Sequence, residues 1–74
     1  MNFPQFRKHQ SGVNFYEIHD PTNFTEYQRI GSKIIVHHIR ATTYFETLRI
    51  QEMLNLDGCY LVADEMEVKA LENG

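Results

Sequence analysis

Four turn dipeptides punctuate this chain: Ser11-Gly12, Asp20-Pro21, Gly31-Ser32 and Asp57-Gly58. The first three cut the N-terminal half into pieces of about 8 to 12 residues, the spacing of short strands. Gly31-Ser32 constrains the fold most. Gly-Ser suits a two-residue type II′ turn, because its first central residue needs a positive φ. Its flanks, residues 24–30 and 33–39, are rich in Phe, Tyr, Ile and Val, which favour a pleated surface. Ser11-Gly12 marks a second, less strongly signalled hairpin between residues 6–10 and 13–18.

A two-residue turn fixes register, so the partners across the second hairpin can be written down. Ile30 faces Lys33, Gln28 faces Ile35, Glu26 faces His37 and Phe24 faces Ile39 on one side of the sheet. Arg29 with Ile34, Tyr27 with Val36 and Thr25 with His38 share the other side. Both sides therefore carry apolar residues.

The second half reads differently. Thr43 followed by Glu46 forms a capping box, and Gly58 suits a helix end, which predicts a helix over 43–57. Its apolar residues split into two stripes: Tyr44, Phe45 and Leu48 on one side, and Ile50, Met53 and Leu54 on the other. A strand over 44–50 followed by a short helix is the alternative, because residues 48–51 alternate apolar and polar. Residues 59–62 read as a short buried strand. Asp64 caps a last helix over 64–73, with Met66, Ala70 and Leu71 as its apolar edge and Gly74 beyond it.

The expected fold is a single α+β domain over residues 1–74. It is a small antiparallel sheet of two hairpins, about four to five strands, covered on one face by one or two helices. Two apolar sheet faces need two covers, and one helical layer supplies only one. A second copy of the chain is the expected cover for the other face, which makes a homodimer the expected partner.

Composition narrows the function classes. Apolar residues make up 42% of the chain, too many for disorder. The net charge of −3 argues against general nucleic-acid binding. The single cysteine, Cys59, excludes an intramolecular disulfide and suits a reducing compartment. Residues 1–7 lack an apolar stretch of signal-peptide length, and Ile34-Ile35-Val36 is the longest aliphatic run. The expected location is therefore the cytoplasm, with no membrane contact. The start at Met1 reads as that of a short gene product.

Several residues suggest chemistry. Glu26 opposite His37 could orient an imidazole as a general base. The plainer reading is a cross-strand polar pair. Cys59 could be a nucleophile, although free cysteines are more often buried and inert. The adjacent His37 and His38 point to opposite faces and cannot share one ion, and His9 and His19 have no partner at chelating spacing. Neither a metal nor a cofactor is expected. Arg7, Lys8 and His9 could contact phosphates with Phe6 or Tyr16 stacking on a base. Arg29, Lys33 and Arg40 form a second basic group, but the register divides these charges between faces.

The favoured function is a non-catalytic interaction or regulatory module acting as a homodimer. The first alternative is a small-ligand or nucleotide-binding protein with a site between protomers, built on Tyr27, Glu26, His37 and Arg29. The second is a minimal enzyme using Glu26 with His37, or Cys59.

Overall fold

In the computed structural model, which describes residues 2–72, the first four strands run as a continuous meander. These are β1 (Gln5–His9), β2 (Asn14–Asp20), β3 (Asn23–Ile30) and β4 (Lys33–Arg40). Helix α1 (Tyr44–Leu54) then crosses the sheet, β5 (Tyr60–Val62) adds to its far side, and α2 (Glu65–Glu72) follows. The order is β4-β3-β2-β1-β5 with every pair antiparallel. This is the α+β architecture that the turn spacing predicts. Among the described residues, no helix is long and apolar enough to cross a membrane.

The β3–β4 register matches the expected one pair for pair, from Ile30–Lys33 to Phe24–Ile39. Gly31 closes the turn with φ +61°, as a type II′ turn requires. The first hairpin forms as expected, pairing Phe6 with Glu17 and Lys8 with Phe15, but its turn opens across residues 10–13, with the Gly12 amide donating to His9 O at 2.9 Å. Asp20 makes the link between the hairpins. Its carboxylate accepts from the Thr22 amide at 2.7 Å and from Asn23 Nδ2 at 3.0 Å, and these bonds hold it below the usual carboxylate range.

The two helices lie on opposite faces, so the sheet is not left with one bare side. Strand alternation separates Tyr16, Ile18 and Phe24 from Phe15 and Tyr27. The first set packs beneath Ile50 and Met53 of α1, and the second beneath Val68 and Leu71 of α2. The second cover that the sequence reading assigned to another copy of the chain is therefore α2.

The capping box forms as expected, with the Glu46 amide donating to Thr43 Oγ1 at 3.2 Å. The helix ends sooner than Gly58. Leu56 takes the left-handed turn at φ +58°, and the Asp57 amide reaches back to Glu52 O at 2.9 Å. This is a Schellman end with leucine where glycine is favoured. Leu56→Gly should stabilise the fold by about 1 kcal/mol in urea unfolding, because glycine removes the Cβ penalty at that φ. A loss of stability would show that the half-exposed Leu56 side chain contributes more than the strain costs.

Two further expectations change. The strand at 59–62 is an exposed edge, with Leu61 and Val62 in solvent, because among the described residues β5 pairs only with β1. In α2 the buried pair is Val68 and Leu71, while Met66 is exposed. Asp64 does cap this helix, with its Oδ1 accepting from the Met66 amide at 2.9 Å. The expected end of the helix at Asn73 and Gly74 lies outside the described residues.

Candidate functional site

The residues singled out for a ligand site do not converge. Glu26 and His37 lie on the α1 face, and Tyr27 and Arg29 on the α2 face. Tyr27 is buried under α2, and Arg29 lies over the Phe15 ring at 5.5 Å. Glu26 and His37 are register partners, yet the Glu26 carboxylate turns inward. It accepts from Arg49 Nη2 at 2.7 Å and Asn14 Nδ2 at 3.1 Å, while His37 stays exposed on β4.

Arg49 reaches Glu26 because α1 crosses the strands at that point. Its guanidinium stacks on Phe24 at 5.3 Å and on Tyr16 at 5.5 Å. Burial pushes the Tyr16 hydroxyl up to about 12, so it stays neutral there. An ion pair wedged between two rings and an amide fastens the helix to the sheet. It leaves the carboxylate no freedom to act as an orienting group for His37.

The first basic group is spent on structure as well. Arg7 is buried, and its guanidinium donates to Met53 O at 2.9 Å and Leu54 O at 3.4 Å, closing the C-terminal end of α1. Lys8 pairs with Glu67 at 3.1 Å, and His9 bonds Ser11. Cys59 is only half-buried, before β5 rather than in the core, and its thiol accepts from Gln10 Nε2 at 3.5 Å. Among the described residues, no three His, Cys, Asp or Glu side chains gather where they could hold a metal ion.

Two features escaped the sequence reading. The first is an open cleft of about 270 Å³ at the β3–β4 end, lined by His19, Asn23, Phe24, Thr25, His38, Ile39 and Arg40. The Thr25 hydroxyl sits between two imidazoles, 2.7 Å from His19 Nε2 and 3.1 Å from His38 Nδ1. Glu17 Oε2 lies 3.7 Å from His19 Nδ1. The spacing of hydroxyl and base suits nucleophile activation. Thr25 is only 2% exposed, however, and both imidazoles already hold its hydroxyl. The group closes on itself as a cross-strand polar ladder. Thr25 and His38 were placed opposite one another by register. The third member, His19, was hidden because the pairing shifts between Ile18 and Asp20.

The second feature is an apolar edge. Ile30, Ile35 and Val36 are exposed on the β3–β4 hairpin at 50%, 39% and 44%. On α1, Tyr44 and Phe45 are 73% and 78% exposed, their rings 5.7 Å apart, with Leu48 beside them. Helix geometry explains their grouping. An α-helix rises about 1.5 Å per residue, so Tyr44 to Leu54 spans about 15 Å, roughly three strand spacings. Arg49, midway, meets residues of β2 and β3, and the last turn meets Arg7 of β1. The first turn therefore stands at the β4 edge. Of the two stripes read in sequence, the one with Ile50 and Met53 enters the core, and the one with Tyr44, Phe45 and Leu48 faces solvent.

Compared with protein-family models, curated protein sequences and solved structures, the chain matches none.

Proposed function

We propose that this protein is a non-catalytic interaction module that works as a homodimer. The observation that carries the reading is the concentration of exposed apolar side chains at the β4 edge. Scattered apolar residues are normal on a protein surface, but exposed side chains gathered along one strand edge, with two large aromatics on the helix beside it, mark a contact site. Aromatic side chains are enriched at such sites because they bury much area for little conformational entropy. The polar clusters point away from catalysis. Glu26 is tied to Arg49, Thr25 is enclosed by two histidines, and the half-buried Cys59 has a glutamine beside its thiol. The lone thiol suits a reducing compartment, and the cytoplasm is the proposed location.

A chain of 74 residues buries a modest share of its surface, and self-association is one way to add to its stability. Light scattering at micromolar concentration should give twice the chain mass of 8.7 kDa. A mass of 8.7 kDa that does not change on concentration would remove the dimer.

A further inference from the structure

We infer that two copies join along their β4 strands, antiparallel about a two-fold axis centred on His37, so that their sheets become continuous. This rests on the homodimer reading above and names its interface.

The two edges of the sheet are not equivalent. β5 has three residues, and a very short edge strand is a poor template for pairing. β4 has eight, with its fixed charges, Lys33 and Arg40, at the two ends and Ile-Ile-Val-His-His-Ile between them. Natural edges are usually protected by an inward charge, a bulge or a proline. The β4 register runs without a bulge from Lys33 to Arg40, and the strand contains no proline.

Backbone parity then restricts the pairing. In an antiparallel pair, alternate residues turn their N–H and C=O groups towards the neighbouring strand. The two-residue turn makes Ile30–Lys33 a hydrogen-bonded pair, and the Ala41 amide, in phase with Lys33, donates to Thr22 O at 2.7 Å. Residues 33, 35, 37 and 39 therefore turn their backbone to β3. Ile34, Val36, His38 and Arg40 turn theirs outward to an edge where no strand among the described residues pairs. A two-fold partner must set outward residues against outward residues, so near the middle of β4 the axis passes through Val36 or through His37.

Side chains decide between these. An axis at His37 sets Ile35 opposite Ile39 of the second copy, and symmetry repeats the pair. Arg40 then meets Ile34, and Lys33 meets Ala41, so no like charges oppose. An axis at Val36 makes one Val–Val pair and sets Ile35 against His37. Cross-strand apolar pairs are the unit of sheet stabilisation, which favours the first register.

The helix supplies the rest of the contact. Ile30, Ile35 and Ile39 lie on the face covered by α1. Antiparallel pairing brings the Arg40 end of one β4 beside the Lys33 end of the other. Tyr44 and Phe45, which stand at that edge, are thereby brought to the side where the second copy exposes Ile30 and Ile35. A single occupant accounts for both exposed groups, the strand and the helix stripe.

Cysteine cross-linking tests the register. Two His37 residues at the axis form a non-hydrogen-bonded pair with Cα atoms about 4.5 Å apart, within disulfide range. In a Cys59→Ser background, His37→Cys should oxidise to a covalent dimer, whereas Leu61→Cys on β5 should stay a monomer on a non-reducing gel. Val36→Pro should keep the far-UV circular dichroism of the parent, because its N–H faces outward, and should weaken dimerisation at least 100-fold by light scattering. Val36→Lys should do the same without a proline. A parent dimer whose His37→Cys form does not cross-link, or whose Val36→Lys form dimerises at parental affinity, would overturn the edge pairing and leave the dimer reading standing. A parent that is monomeric throughout would overturn both.

Discussion

Phe24→Ala should lose about 3–5 kcal/mol of stability in urea unfolding, while Phe45→Ala should stay within about 0.5 kcal/mol of the parent in dilute solution. Phe24 is 1% exposed in the centre of the α1-side core. Its ring lies against Tyr16 at a centroid distance of 6.3 Å and under the Arg49 guanidinium at 5.3 Å. Truncation would remove the transfer energy of the ring and leave a cavity bordered by Ile18, Ile50 and Met53. A chain of this length has a total stability of roughly 4–11 kcal/mol at typical values per residue, so the loss is a large part of the whole. Phe45, on α1 rather than on β3, is 78% exposed. It belongs to the stripe that the core does not use, and at low concentration it has little to lose. Equal effects of the two substitutions would mean that the helix phase is wrong.

The strand half of the fold was readable because its information is local. Gly31 can take a positive φ, a two-residue turn admits one register, and the seven pairs written from it are among the eight that form. The capping box at Thr43 and the cap at Asp64 were readable for the same reason, since each lies within four residues. What was not readable depends on where a helix lands. The side of the sheet taken by α2 is set by Val68 and Leu71 meeting Phe15 and Tyr27, about forty residues apart or more. Nothing within the short C-terminal pattern encodes that meeting.

The site residues show the same division. The pairing of Glu26 with His37 was correct as register and uninformative as chemistry, because α1 brought Arg49 to the carboxylate instead. Arg7 read as a strand cation able to contact phosphates. Only the arrival of the last turn of α1 made it a buried donor to Met53 and Leu54 carbonyls. The two apolar stripes of α1 were visible in sequence, but which one faced inward was not, because each carries three apolar residues. The amphipathic signal was ambiguous at the place where the exposed surface now lies.

Arg49→Met should cost about 2–3 kcal/mol, and adding Glu26→Gln should restore most of that loss. The asymmetry comes from desolvation. The Glu26 side chain is only 14% exposed, and after Arg49 is removed Asn14 remains its one partner among the described contacts. A half-buried carboxylate with a single neutral donor is costly, because water reaches too little of it to replace the guanidinium. Arg49 is better placed to lose its partner, since its side chain is 35% exposed and keeps its stacking on Phe24 and Tyr16. Glu26→Gln alone should therefore cost only about 1 kcal/mol. The double variant replaces the ion pair by an amide beside an apolar chain of similar length, with Asn14 still in reach. A double-mutant cycle by urea unfolding should give a coupling of about 2–3 kcal/mol between the two positions. A double variant as unstable as the sum of the two singles would show that the pair acts independently. The fastening of α1, and with it the placement of Tyr44 and Phe45 at the β4 edge, would then rest on Ile50, Met53 and Arg7 alone.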